Sequence, residues 1–126
     1  MKIAWEAVKY EDFQKRMEIE PPQIFLSDWT ADYLDPDDFL RVSPARRYTR
    51  WQDSDFNRLV ETARQVTDQQ ERISLYIQAD AILIREAAIV PIAYVRRHLL
   101  VKPWIKTLPM SPTKHWFWKD VVIESH

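Results

Sequence analysis

Residues 29–39, Trp-Thr-Ala-Asp-Tyr-Leu-Asp-Pro-Asp-Asp-Phe, hold the groups in this chain best suited to chemistry. Asp32 stands between two large aromatics, Trp29 and Tyr33, and Asp35-Pro36 signals the start of a short helix. A carboxylate walled by aromatic rings suits a cation, or an amine carried on an otherwise apolar ligand. The rings exclude water, and the lowered local dielectric strengthens the charge contact. The same residues also fit a plain loop whose aromatics are core and whose acids are solvated caps. Asp35, Asp37 and Asp38 suit that second description, because a helix N-terminus favours negative charge. A hard-metal or hydrolytic carboxylate pair is a third use of these acids. No His lies near them in sequence to complete a transition-metal set. Asp32 is the acid left needing a function.

The elements that must position this loop follow from periodicity. Residues 2–8 alternate, with Ile3, Trp5 and Ala7 on one face, and predict a half-buried strand. A short helix over 10–17 turns Phe13 and Met17 inward. Pro21-Pro22 breaks the chain, and 23–26 predicts a buried strand, which would set Trp29 and Asp32 at a strand's carboxyl end. Open α/β sheets tend to bind ligands there. A short helix runs from Pro36 through Leu40, and 41–52 predicts a surface loop. Asp53 or Ser54 caps a helix carrying Phe56, Leu59, Val60, Ala63 and Val66 at helical spacing. Residues 67–70 fit a capping box for a long helix to about residue 88, with a deeply buried second half. A strand follows over 89–95, with Pro91 marking an edge or bulge. The remainder is an aromatic, Pro-rich meander closing on a short strand at 121–123 with no evident partner. The whole predicts an α/β unit that has lost neighbours.

Composition narrows the chemistry. Apolar residues make up 46% and aromatics 13% of 126 residues, which is enough for one packed domain or part of a larger one. Net charge is -1, so no overall field favours nucleic acid or an anionic surface. The cluster of Arg41, Arg46, Arg47 and Arg50 with Tyr48 and Trp51 interleaves bases and aromatics as single-strand binders do. The balanced charge favours a solvated loop over nucleic-acid binding. No apolar run reaches the roughly 18 residues of a membrane span, and no signal peptide is visible. An exported product would carry its signal upstream. The chain has no Cys, which excludes disulfides, thiolate zinc sites and a Cys nucleophile. It also has no Gly, which excludes the phosphate-binding loops that need one. Left-handed turns would fall to Asn57, and other turns to Pro and Asp. His98, His115 and His126 are too dispersed for a ligand set. His115 beside Trp116 and Trp118 suits packing, and 96–98 suits a solvated strand end. No cofactor is expected.

Several segments in this order and spacing carry a resemblance. They are Trp29-Thr30-Ala31-Asp32-Tyr33 through Pro36 and Phe39, then Asp55-Phe56 opening a helix that ends in Val66-Thr67-Asp68. Arg72 with Leu75-Tyr76, Ala88-Ile89-Val90-Pro91-Ile92, Leu100-Val101-Lys102-Pro103-Trp104 and the closing 122–126 complete the set. Together they resemble extracytoplasmic solute-binding proteins of ABC transporters, of the oligopeptide/dipeptide-binding type (family 5). The resemblance implies the carboxyl-terminal part of a two-lobed, type II periplasmic-binding-protein-like α/β fold, a mixed sheet flanked by helices. Residues 1–98 would belong to the second lobe, and 99–126 would be a tail returning to a first lobe outside this chain. Location would be periplasmic or extracytoplasmic, with or without a lipid anchor.

The resemblance further implies a binding module without catalysis. A peptide or another amine-bearing solute would lie in the interlobe cleft and pass to an inner-membrane permease. Trp29 would line the cleft, Asp32 would pair with the ligand's ammonium, and Tyr33 would stand beside them. Ala31, Tyr48 and Trp51 are secondary candidates for the same wall. Two departures bear on the ligand: Asp28 stands where peptide-binding members usually carry Gly, and Leu26 where some carry an Arg for the peptide carboxylate. Relatives of this architecture bind nickel chelates, opines or sugars. The alternatives from other classes are a stand-alone domain that self-associates through its Trp-rich tail and a small metal-dependent hydrolase.

Overall fold

The computed structural model describes residues 2–96, 98–111, 113 and 116–125, with the side chains of 44 and 45 excepted. The expectations for His115 and His126, and for Arg97 in the strand end, lie outside the described residues.

The centre is a helical hairpin. α3 (Ser54–Ala63) opens at Asp53, whose carboxylate accepts the Phe56 N–H at 2.8 Å. α4 (Gln69–Arg85) opens at Asp68, which accepts the Glu71 N–H at 2.8 Å. Asp68, not Thr67, is therefore the cap: it holds the last extended position before the helix, from which its carboxylate reaches the free donor. The helical spacing does what it predicts. Phe56, Leu59, Val60 and Ala63 of α3 pack on Tyr76, Ala79, Ile82 and Leu83 of α4. Burying each large side chain contributes about 1.5–3 kcal/mol. Leu40, from the acidic loop, joins the same cluster. Val66 falls beyond α3 and is half-buried.

Before the hairpin come α1 (Tyr10–Ile19), with Met17 buried, and α2 (Pro44–Tyr48). The expected loop over 41–52 thus contains one helical turn with Pro44 at its start. Phe13 of α1 meets Phe25 at 6.2 Å, and Arg16 grips Glu6 through two bonds of 2.9 and 3.1 Å.

The strand expectations divide. β1 (Ile105–Thr107) pairs antiparallel with β2 (Val122–Ile123), in register Ile105↔Ile123. The closing strand therefore has a partner, and Lys106–Glu124 at 3.3 Å ties the pair. Residues 2–8, 23–26 and 89–95 form no ladder. Most of their apolar side chains stay out, with Trp5 76% exposed, Ile24 63% and Ile92 74%, while Phe25 and Ile89 are half-buried. Period-two alternation reports a face to be covered, and a strand forms only where a neighbour accepts its backbone bonds. The described residues thus show a mixture of helix with one small antiparallel sheet. No described helix is long and apolar enough to cross a membrane.

With no glycine available, α4 ends on an alanine. Ala87 takes φ 51°, the Ala88 N–H reaches the Leu83 carbonyl at 3.0 Å, and the Ala87 N–H reaches Ile84 at 3.1 Å. Asn57, the expected left-handed residue, instead lies inside α3. A left-handed alanine is held against a cost of roughly 1–2 kcal/mol. Replacing Ala87→Gly is expected to stabilise the protein by about 1 kcal/mol in urea unfolding; a loss of stability would show that the alanine methyl has a packing role.

Candidate functional site

The acidic loop is built around bonds that its sequence places close together. Asp35 caps the turn that starts at Pro36, accepting the Asp37 N–H at 2.9 Å, while the Asp38 N–H reaches the Asp35 carbonyl at 3.1 Å. The helix then widens into a turn of wider pitch over Asp38–Val42. Ser43 closes it by donating to the Phe39 carbonyl at 2.6 Å.

Each of the three acids after Tyr33 has a separate partner. Asp35 also accepts from Arg72 of α4 at 2.5 Å, which ties the loop to the helical hairpin. The Arg72 guanidinium lies 5.1 Å from the Tyr76 ring centre, and its bond to Asp35 raises its pKa. Burial, and next the charge of Asp37, push the Tyr76 phenol up.

Asp37 is 6% exposed. Arg41, one turn on, bonds it through Nε at 3.0 Å and Nη2 at 2.6 Å, and the Tyr33 hydroxyl donates to it at 2.7 Å. Arg64, just past α3, stands 3.9 Å away. The Arg41 bonds hold the Asp37 carboxyl below its ordinary range, against the opposing effect of burial. Tyr33 is pushed up to about 12, by burial of its hydroxyl first and the bond to Asp37 second.

Asp38 is fully buried. Its Oδ2 accepts the Trp29 indole N–H at 2.6 Å and the Asp32 backbone N–H at 3.3 Å. Its Oδ1 has no hydrogen-bond partner. No cation pairs with it among the described residues.

Trp29 is half-buried with its ring fixed by Asp38, and Ala31 is buried beside it in sequence. Asp32 is exposed, and its carboxylate bonds to no described residue. Tyr33 keeps 40% of its surface open while its hydroxyl is clamped. Trp51 packs edge-on against Phe56 at 5.2 Å, on the flank of the core, and Tyr48 stands under the Arg47 guanidinium at 5.2 Å. No hydrogen bond joins Tyr48 or Trp51 to the Asp32 side chain among the described residues. Of the interleaved arginines, Arg41 is committed to Asp37 and Arg46 to Asn57 at 2.5 Å. No group of three His, Asp or Glu converges on a cation position among the described residues.

One part of the sequence expectation needs correcting. Asp37 and Asp38 are not solvated caps. Both are buried, and each holds a flanking aromatic. The signal for Asp37 was present in sequence, as Arg41 lies four residues on in a helical turn. The signal for Asp38 was not, because its donors come from nine and six residues back through an irregular loop.

No family model matches the chain. A probable deoxycholate-binding periplasmic protein of Escherichia coli (strain K12) is 29% identical over 102 residues, 78% of this chain and 19% of the relative. Di/tripeptide-binding protein 3 of Pseudomonas aeruginosa (strain UCBPP-PA14) is 34% identical over 113 residues, 83% of this chain and 21% of the relative. The periplasmic oligopeptide-binding protein of Escherichia coli (strain K12) is 32% identical over 80 residues, 61% of this chain and 15% of the relative. The chain spans about a fifth of the length of the curated relatives it matches. All three are named as binding proteins, two of them periplasmic, so the class these relatives define is that of solute-binding proteins. Within that class, the chain belongs to the ABC-transporter solute-binding proteins of the oligopeptide/dipeptide-binding type, as a carboxyl-terminal portion.

The Asp37 cluster gives a pH prediction. Its folded pKa is depressed, so its contribution is present above the unfolded value near 3.9 and is lost as pH falls through the lower folded value. Asp37→Asn is expected to lose about 2 kcal/mol in urea unfolding at neutral pH. The difference from the unmodified protein should shrink as the pH drops below about 4. A difference independent of pH would mean that shape, not charge, is what Asp37 supplies.

Proposed function

We propose that this chain is the ligand-facing part of an extracytoplasmic receptor for peptides or other amine-bearing solutes that supplies an ABC permease. Residues 1–98 form part of the second lobe of a two-lobed fold, and 99–126 return to the first lobe. Ligand enters the interlobe cleft, where hinge closure removes water and strengthens the ion pair between Asp32 and the ligand ammonium. Trp29 supplies the apolar wall, and Tyr33 borders the carboxylate on the other side.

One observation carries this reading: Asp32 alone among the acids of the loop is left open and unbonded, while its neighbours are consumed in fixing the aromatics on either side. The relatives' names support the ligand class, since several are di/tripeptide- or oligopeptide-binding proteins. The apolar side chains of Val90, Ile92, Tyr94 and Val95, 73–102% exposed, support a lobe outside this chain that covers them. The relative named for deoxycholate marks the competing case, a ligand with an apolar body and no amine.

A second reading, a stand-alone domain that associates with itself, draws on the exposed tail, where Trp116 and Trp118 stack at 5.6 Å. Solution scattering separates the two by particle mass. The hydrolase alternative is disfavoured because Asp35 and Asp37 are neutralised by arginines and Asp38 is sealed from solvent.

The direct test is calorimetry on the full-length polypeptide that contains this chain. Asp32→Asn should weaken a di- or tripeptide by about 1.5–3 kcal/mol, the scale of a charge-assisted hydrogen bond. It should leave an N-acetylated peptide almost unaffected. Equal affinity of both proteins for the free-amine peptide would remove Asp32 from the site.

A further inference from the structure

We infer that Asp38 is a positioning residue for ligand binding, the group that sets Trp29 and Asp32 at a fixed distance and angle to one another. The inference rests on the binding role proposed above for those two residues. One carboxylate oxygen, Oδ2, accepts from both: the indole N–H of Trp29 at 2.6 Å and the backbone N–H of Asp32 at 3.3 Å. The side chain that would line the cleft and the backbone that carries the ammonium partner are therefore pinned to a single atom.

A merely structural acid would be placed differently. Asp38 is fully buried, has no cation beside it among the described residues, and leaves Oδ1 without a hydrogen bond. An isolated carboxylate is among the most expensive groups to bury, and an apolar residue of similar size would serve packing better. Its retained function is thus the acceptor it offers. The next residue back performs the matching task, since Asp37 holds the Tyr33 hydroxyl at 2.7 Å. Two consecutive acids at the start of the widened turn thus each hold the polar end of an aromatic that flanks Asp32 in sequence, Trp29 on one side and Tyr33 on the other.

Pre-set geometry matters because a side chain that must be ordered on binding draws on the affinity. A Trp29 ring free to rotate would have to be immobilised again with each ligand. An Asp32 backbone released from Oδ2 would present its carboxylate over a wider arc.

The test uses the full-length polypeptide containing this chain, labelled with ¹⁵N at tryptophan, with a tripeptide as the probe. The Trp29 indole signal is assigned by its disappearance in Trp29→Phe. A charge-assisted bond at this length places the proton signal downfield. In the unliganded protein, Asp38→Ala should move that signal upfield, and Asp38→Asn should move it part of the way, because a neutral amide oxygen is a weaker acceptor. Tripeptide affinity should fall about tenfold in Asp38→Ala and less in Asp38→Asn. In an Asp32→Asn background, Asp38→Ala should add little further loss, because the two act as one unit. Should the alanine variant fail to fold, the asparagine variant alone decides, by the same signal and affinity. An unmoved indole signal, or losses that simply multiply in the double variant, would overturn the inference. A shifted signal in a protein that binds no tripeptide would keep the Asp38 lock and overturn the ligand reading instead.

Discussion

The carboxylate of Asp38 lies beyond reach of solvent, with two N–H groups in place of a cation. Most of the loop's order depends on that arrangement. A buried acid is tolerated only where donors are fixed around it, so the indole of Trp29 and the backbone at Asp32 must stay where they are. The donors in turn need a rigid floor. Leu40, two residues on, is seated in the α3–α4 core, and Asp35 is bonded to Arg72 of α4. The loop is thus fastened to the hairpin at an apolar point and at an ionic one, and the acid sits between them.

The consequence is a division of labour among four aspartates that look alike in sequence. Asp35 ties the loop to a helix, Asp37 clamps Tyr33 and takes up Arg41, and Asp38 clamps Trp29. Asp32 is left facing out with its charge unspent. A run of acids could have repelled itself. Here each of the three inner carboxylates is matched to arginine, tyrosine or tryptophan donors, so the negative charge offered outward is concentrated on one residue. That arrangement suits the amine recognition proposed for Asp32, and relatives named for di/tripeptides and oligopeptides agree with it.

The two core helices, α3 and α4, were legible because their signals are local. Asp53 and Asp68 satisfy N–H groups three residues away, and the 3.6-residue spacing of Phe56, Leu59, Val60 and Ala63 describes one face. The strands were legible only at the close, where β2 falls within the expected 121–123; alternation along 2–8 or 89–95 states only that one side is apolar. Whether a ladder forms is decided by residues elsewhere, and among the described residues none is positioned to supply it. The sheet among the described residues pairs Ile105 with Ile123, through a register no periodicity could indicate. The site divides the same way. Trp29, Asp32 and Tyr33 stood out by type and spacing, whereas Asp38 resembled any acid near a helix start. Only its burial separates it from a cap. The left-handed Ala87 was hidden for a related reason: the composition argued for Asn, and the helix end required a left-handed residue regardless of which type was there.

The central claim is that this chain works as part of a larger receptor that holds a small solute. Native mass spectrometry of the endogenous protein, purified without refolding, tests it most directly. A species several times the 15.2 kDa of this chain, carrying a small adduct released on activation, is the expected result, and the adduct's mass would give the solute. A bare 15.2 kDa species, or its dimer, would contradict the account and leave a stand-alone domain in its place.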